Sequence, residues 1–251
     1  MKKSISNVVS VLGFAVIGFV AYSNSQPLSA AALLEREGPY EINWTSGKIR
    51  FYGVGKLAAA EDSLRPAEQR AWADGLRLAE QNIPILMSSR LGGAKKIGVE
   101  RLSKLASDTT SVTTTYFGDA RVKVILEAPI QKLTALLLAP VTTAPAATSN
   151  GTGIVIKLPK GAKPAAFVSI LDEHGREMVS ANASVAAAQA GLPMVKWFRS
   201  DAGPVEGLTV AQAPVISGTS LERGVIRINS SDWKPSYAGA VVRGAVAFVI
   251  Q

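Results

Sequence analysis

Hydrophobic and polar positions change rhythm several times along the chain, and each rhythm predicts an element. Val8 to Tyr22 is an apolar run of about fifteen residues, preceded by Lys2 and Lys3 and followed by Ser23-Asn-Ser-Gln-Pro27 and then Leu-Ser29-Ala-Ala31. Lys48-Ile-Arg-Phe-Tyr-Gly-Val54 partly alternates polar with apolar and is rich in strand formers, which predicts a half-buried strand whose end Gly53 and Gly55 punctuate. From Pro66 the period changes. Ala67, Ala71, Leu78 and the neighbouring Trp72 and Ala79 recur at three- and four-residue steps, predicting a helix over 66–82 with a small apolar face able to lie close on a sheet. Pro84 interrupts it, and Lys95 to Leu105 predicts a further short helix or flap. Thr109 to Phe117 and Arg121 to Leu126 are rich in β-branched residues and flank Gly118-Asp119, the signature of a hairpin.

Beyond residue 150 the texture is mainly that of strands. Gly153 to Leu158 and Phe167 to Leu171 predict core strands, Asp172-Glu-His-Gly-Arg176 a polar turn, and Glu177-Met-Val179 the returning strand. Ala181 to Ala190 predicts a helix stopped by Gly191 and Pro193. Gly224 to Asn229 and Ala240 to Ile250 predict two more core strands.

Between these halves, Pro140 to Gly153 carries no charge and no apolar period, so it cannot bury enough surface to offset the entropy of ordering. The expected organisation is therefore a signal segment over 1–31, an α+β domain over 33–138, a Pro/Thr/Ala-rich linker over 139–152 and a mainly β domain with a short Ala-rich helix over 153–251. Strand, helix and hairpin in the first domain make a layer in which the helix covers one sheet face.

The first thirty-one residues have the layout of a secretory signal: cations, an apolar stretch, then small side chains at Ser29 and Ala31. A helix needs roughly 20 apolar residues to cross the hydrocarbon core, so the run favours export and cleavage, with a mature chain beginning near Ala32. The Lys-Lys start and the Ala-rich mature chain point to a bacterial periplasm or outer-membrane location. Cysteine is absent, which excludes both a disulfide framework and a lipid attached through cysteine. The four Asn-x-Ser/Thr sequons, at Asn43, Asn150, Asn182 and Asn229, matter only in a eukaryotic secretory route.

Removing Lys2 and Lys3 takes two charges from a formal net charge of +8. The remaining cations are dispersed, with Lys95-Lys96 the only adjacent pair, whereas nucleic-acid binding needs a concentrated stripe; no nucleic-acid partner is expected. His174 is the single histidine, so a histidine-rich metal site is excluded and any Ser-His-Asp triad would have to use a residue in the polar turn. Asp172 and Glu173 beside it lack the spacing of a calcium loop and are read as turn chemistry. Gly53-Val-Gly-Lys56 lacks the spacing of a phosphate loop. Glu61, Asp62 and Glu68 form the only close acidic cluster of the first half, which attraction to the positive end of the helix explains. Trp44, Trp72, Trp197 and Trp233 are scattered singly and are expected in packing rather than on a sugar platform. No catalytic, metal or cofactor residue is assigned.

Tyr52-Gly-Val-Gly-Lys56, the segment Pro66-Ala-Glu-Gln-Arg-Ala-Trp-Ala-Asp74 with Leu78, and the hairpin end Ala120-Arg-Val-Lys-Val-Ile-Leu126 resemble the Lpp-twenty-type family of bacterial envelope proteins. That family includes lipoproteins and flagellar assembly proteins of the FlgP and FlgT kind. Phe167-Val-Ser-Ile-Leu-Asp-Glu-His-Gly-Arg-Glu177 resembles a C-terminal region of uncharacterised exported proteins. The resemblance implies a non-catalytic, oligomeric structural or assembly protein with protein partners in the envelope; many relatives carry a lipidated cysteine and this chain does not. The alternative expectation is a periplasmic module binding glycan or peptidoglycan, with peripheral membrane or cell-wall contact.

Overall fold

The computed structural model describes residues 29–59, 63–82, 91, 109–137, 153–204 and 213–251. The apolar run Val8–Tyr22, Pro84, the Lys95–Leu105 stretch and the 139–152 linker lie outside them. Among the described residues two sheets and four α-helices make an α+β architecture, as the sequence predicts. In chain order, the first half supplies β1 (Ser29–Ala32), β2 (Leu34–Glu37), β3 (Tyr40–Asn43), β4 (Lys48–Lys56), α1 (Arg65–Asn82), β5 (Thr110–Tyr116), β6 (Arg121–Pro129) and α2 (Ile130–Leu137). The second half supplies β7 (Ile154–Leu158), β8 (Ser169–Leu171), β9 (Glu177–Val179), α3 (Ala181–Gln189), β10 (Lys196–Pro204), β11 (Val215–Glu222), β12 (Val225–Ile228), α4 (Pro235–Val242) and β13 (Val246–Ile250).

The smaller sheet is antiparallel, in the order β2-β3-β4-β6-β5. Successive side chains point to opposite faces, so Tyr40, Ile42, Ile49, Phe51, Val122, Val124, Leu126 and Ala128 share one face, each at most 2% exposed. Burying each larger one contributes about 1.5–3 kcal/mol, which fixes the register because a one-residue slip would turn all of them to solvent. Helix α1 covers half of this face with Ala67, Ala71, Gly75 and Ala79. Its approach explains Gly53 and Gly55. They lie inside β4 rather than at its end, and a Cβ on either would collide with the backbone of α1, at Gly75 N (2.6 Å) for Gly53 and Ala71 N (2.7 Å) for Gly55. Asp74 locks the contact by accepting from Val54 N–H (3.0 Å) and Arg77 Nη2 (2.8 Å).

The larger sheet runs β1-β10-β13-β7-β11-β12-β8-β9. Its centre is parallel, with Trp197 beside Phe248 and Phe248 beside Ile156. Ile154, Ile156, Leu158, Trp197 and Phe248 form one core with α3, α4 and the uncovered half of the smaller sheet, through Tyr40, Ile42, Trp44, Ile49 and Phe51. The smaller sheet thus takes β2 to β6 and the larger one β1 with β7 to β13, while the core beneath them is continuous.

One expectation about the second half changes. Ala240 to Ile250 is not one strand: Ala240–Val242 ends α4, and β13 starts at Val246. Pro235 opens that helix and Gly244, at φ +68°, closes it, with Gly244 N–H donating to Val241 O and Ala245 N–H to Ala240 O. Ala240–Val242 and Val246–Ile250 are both apolar, so no polar face marks the boundary. The same C-cap at Gly191, φ +83°, ends α3 where the sequence placed it.

The N-terminal strands were not read from sequence. Ser29–Ala32 runs antiparallel to β10 in the larger sheet, and after Leu33 the chain passes into β2 of the smaller one. Leu33 is held at the crossing: its N–H donates to Thr45 Oγ1 (2.8 Å), its carbonyl accepts from Trp44 N–H (3.0 Å), and Thr45 Oγ1 in turn donates to Trp197 O.

Candidate functional site

Those of the residues singled out by sequence that the structure describes make local structural contacts. Asp172 Oδ1 accepts from the N–H groups of His174 (2.9 Å) and Arg176 (2.8 Å), and its Oδ2 from Arg176 Nε (2.5 Å), closing the β8–β9 turn over Gly175 at φ +80°. Burial pushes this carboxyl up, but the N–H groups and guanidinium outweigh it and hold it below the ordinary range. Glu173 accepts from Ser230 Oγ (2.7 Å) and Ser230 N–H (2.8 Å), bonds that bring its pKa down to about 2. The His174 side chain is 69% exposed. It is a solvated turn residue.

Glu68 accepts from Tyr116 Oη (2.5 Å), which ties the start of α1 to β5 and raises the phenol's pKa. Glu61 and Asp62 lie outside the described residues. Trp44 and Trp197 are buried in the core, their indole N–H groups donating to Glu35 Oε2 (2.7 Å) and Ala165 O (3.0 Å). Trp72 and Trp233 are half-buried packing residues. None of the four stands as an exposed platform. Among the described residues no group of three or more His, Cys, Asp or Glu side chains could hold a metal ion, and no helix is long and apolar enough to cross a membrane.

Two surfaces of the smaller sheet remain, and neither was assembled by the sequence reading. The face turned away from α1 bears Arg36, Glu41, Lys48, Arg50 and Glu127, contributed by four strands. Their charges alternate across the ladder: Arg36 Nε to Glu41 at 2.5 Å, Arg50 to Glu41 at 3.6 Å and to Glu127 at 2.9 Å, Lys48 Nζ to Glu127 at 2.7 Å. Donation from Lys48, with that from Arg50, outweighs burial and holds the Glu127 carboxyl low, while the bond to Glu127 raises Arg50. With Asn43 and Ser46, four of these residues line an open depression of about 250 Å³. Its carboxylates are already neutralised. Farther along the same face come Lys56, Arg121 and Lys123, the last with its ammonium 4.8 Å from the centre of the Tyr52 ring.

The second surface is the outer edge of β5. This seven-residue strand, Thr110-Ser-Val-Thr-Thr-Thr-Tyr116, is exposed throughout, and among the described residues no strand pairs with its outer side. Its pairing with β6 is regular from Thr113 to Tyr116, after a bulge at Val112. It contains no charge and no proline. The β-branched composition marks it as a strand, but only the strand order makes it an edge.

Compared with known proteins, the chain matches no family model and no curated sequence.

Proposed function

We propose that this chain is a non-catalytic, exported protein of the bacterial envelope, periplasmic or outer-membrane-associated, acting as a structural or assembly component of a flagellar or related machine. Its work is done through protein–protein contacts, with a second copy of itself as the first partner. The observation that carries this reading is the exposed, uncharged edge strand β5. Edges are ordinarily blunted by lysine, proline, a bulge or cover, and Thr113–Tyr116, past the bulge at Val112, is exposed and free of charge, proline and bulge, a template for adding a strand. In antiparallel self-pairing only Ser, Thr, Val and Tyr side chains would oppose one another. No like charges meet, and each favourable cross-strand pair contributes about 0.2–1 kcal/mol. The signal layout and the envelope-family resemblance support the compartment and the kind of machine.

Light scattering on the mature protein tests the reading, beside a Thr113→Lys variant that places a cation on the outer face opposite Ile125. The wild type should associate with rising concentration and the variant should stay monomeric with an unchanged melting temperature. A strict monomer at high concentration, with no envelope partner recovered by crosslinking, would sink the proposal. A glycan-binding role would instead draw on Lys56, Arg121 and Lys123 beside Tyr52. Pelleting with purified cell wall at low salt, lost on Lys123→Ala, is its signature.

A further inference from the structure

The export signal has more than one candidate end. Small side chains stand at the two positions the peptidase reads in Ala21-Tyr-Ser23, which overlaps the end of the apolar run, in Ser23-Asn-Ser25 just past it, and again in Ser29-Ala-Ala31 and Ala30-Ala-Ala32. By side-chain size the upstream and downstream pairs are equivalent.

They differ in what they leave behind. Ser29 pairs with Pro204, Ala31 with Arg199 and Ala32 with Phe198, so Ser29–Ala32 is the strand that closes the β10 side of the larger sheet. A cut after Ala31 deletes three of the four residues of β1, and a cut after Ala32 deletes all of it. Either would leave β10 as an open edge with unpaired backbone groups, next to the buried side chains of Trp197 and Phe198. A downstream cut also places the new terminal ammonium at or beside Leu33. The Leu33 N–H is the donor to Thr45 Oγ1, which itself holds Trp197 O. Cleavage during export precedes folding, so the sheet does not shield the bond; it is the folded product that needs the strand.

We infer that processing cuts upstream, within Ala21–Ser25, and that Ser29–Ala32 remains on the mature chain as the β1 edge strand. The inference rests on the export reading and goes beyond it by choosing the site. The full chain, with its own N-terminus, is expressed in a Gram-negative host, and the periplasmic protein is taken to intact mass and N-terminal sequencing. A start at Asn24 or Gln26 is expected. A start at Ala32 or Leu33 leaves export standing and overturns the inference. An intact Met1 on that protein means the signal is kept uncut and overturns the inference too, whereas recovery of the chain from the cytosol alone overturns the export reading itself. As a second measurement, S23K/S25K should accumulate uncut precursor, whereas A31K should be processed as fast as wild type and carry only its own mass change. The reverse pattern would assign the site to Ala31.

Discussion

Arg223, in the turn between β11 and β12 of the larger sheet, reaches Glu35 in β2 of the smaller one, with Nη2 2.9 Å from Oε1. Its Nη1 donates to Pro164 O at 2.8 Å, and Glu35 Oε2 accepts from the indole of buried Trp44 at 2.7 Å. Both side chains are largely shielded, 19% and 24% exposed, so water screens the pair less than at an open surface. Arg223→Ala should lower unfolding stability by about 1.5–3 kcal/mol, the cost of a hydrogen-bonded charge left without its partner. Glu35→Gln, which keeps an acceptor for Trp44, should cost less. Urea unfolding of the two variants checks the order.

Gly53 lies where α1 comes closest to β4, so Gly53→Ala forces the helix away from the sheet and breaks the Val54–Asp74 bond as well. The expected loss is about 3 kcal/mol or more, beyond the usual cost of overpacking because the obstacle is backbone. Gly38→Ala, in the β2–β3 turn with nothing within 4 Å of the added Cβ, pays only for its φ of +55°. A melting-temperature comparison should place Gly53→Ala well below Gly38→Ala.

The β5–β6 turn holds Ala120 at φ +63°, although Gly118 is two residues away. Left-handed backbone costs a residue with a Cβ about 1–2 kcal/mol, whereas an added glycine loosens the unfolded chain by about 0.4–1 kcal/mol. The first effect is larger. Ala120→Gly should therefore raise stability by up to about 1 kcal/mol, read as a higher midpoint in denaturant.

The Glu173 carboxyl, low at about 2 because Ser230 donates to it twice, favours the fold above the unfolded-state value near about 4.3 and loses that contribution as pH falls through its own. Removing the hydroxyl with Ser230→Ala should move the Glu173 titration up toward the ordinary range. Carboxyl NMR reads the shift directly, and the variant should lose less stability than the wild type between about pH 5 and 2.

How far the chain could be read differs from element to element. The β4 strand, the α1 face of Ala67, Ala71 and Ala79, the β5–β6 hairpin, the Asp172–Arg176 turn and the Gly191 stop were all legible, because periodicity and cap chemistry are properties of a few neighbouring residues. The four-residue strands β2 and β3 were not, since so short a segment hardly contains a period. Nor was the role of Gly53 and Gly55: a glycine in a strand signals a break or a close approach, and only the helix lying against it decides which.

What the sequence determined by itself is the α+β class, the sites of the main turns, and an apolar run near the N-terminus followed by several small-residue pairs. Tertiary structure decided the rest: that Ser29–Ala32 joins the distant β10, that Arg50 meets Glu127, that β5 is an edge, and that Arg223 ties the second sheet to Glu35 in the first. Those facts depend on which strands pair and in what register. Pairing is settled by burying one face of each sheet in a shared core, a condition on the whole chain that no local stretch of residues contains.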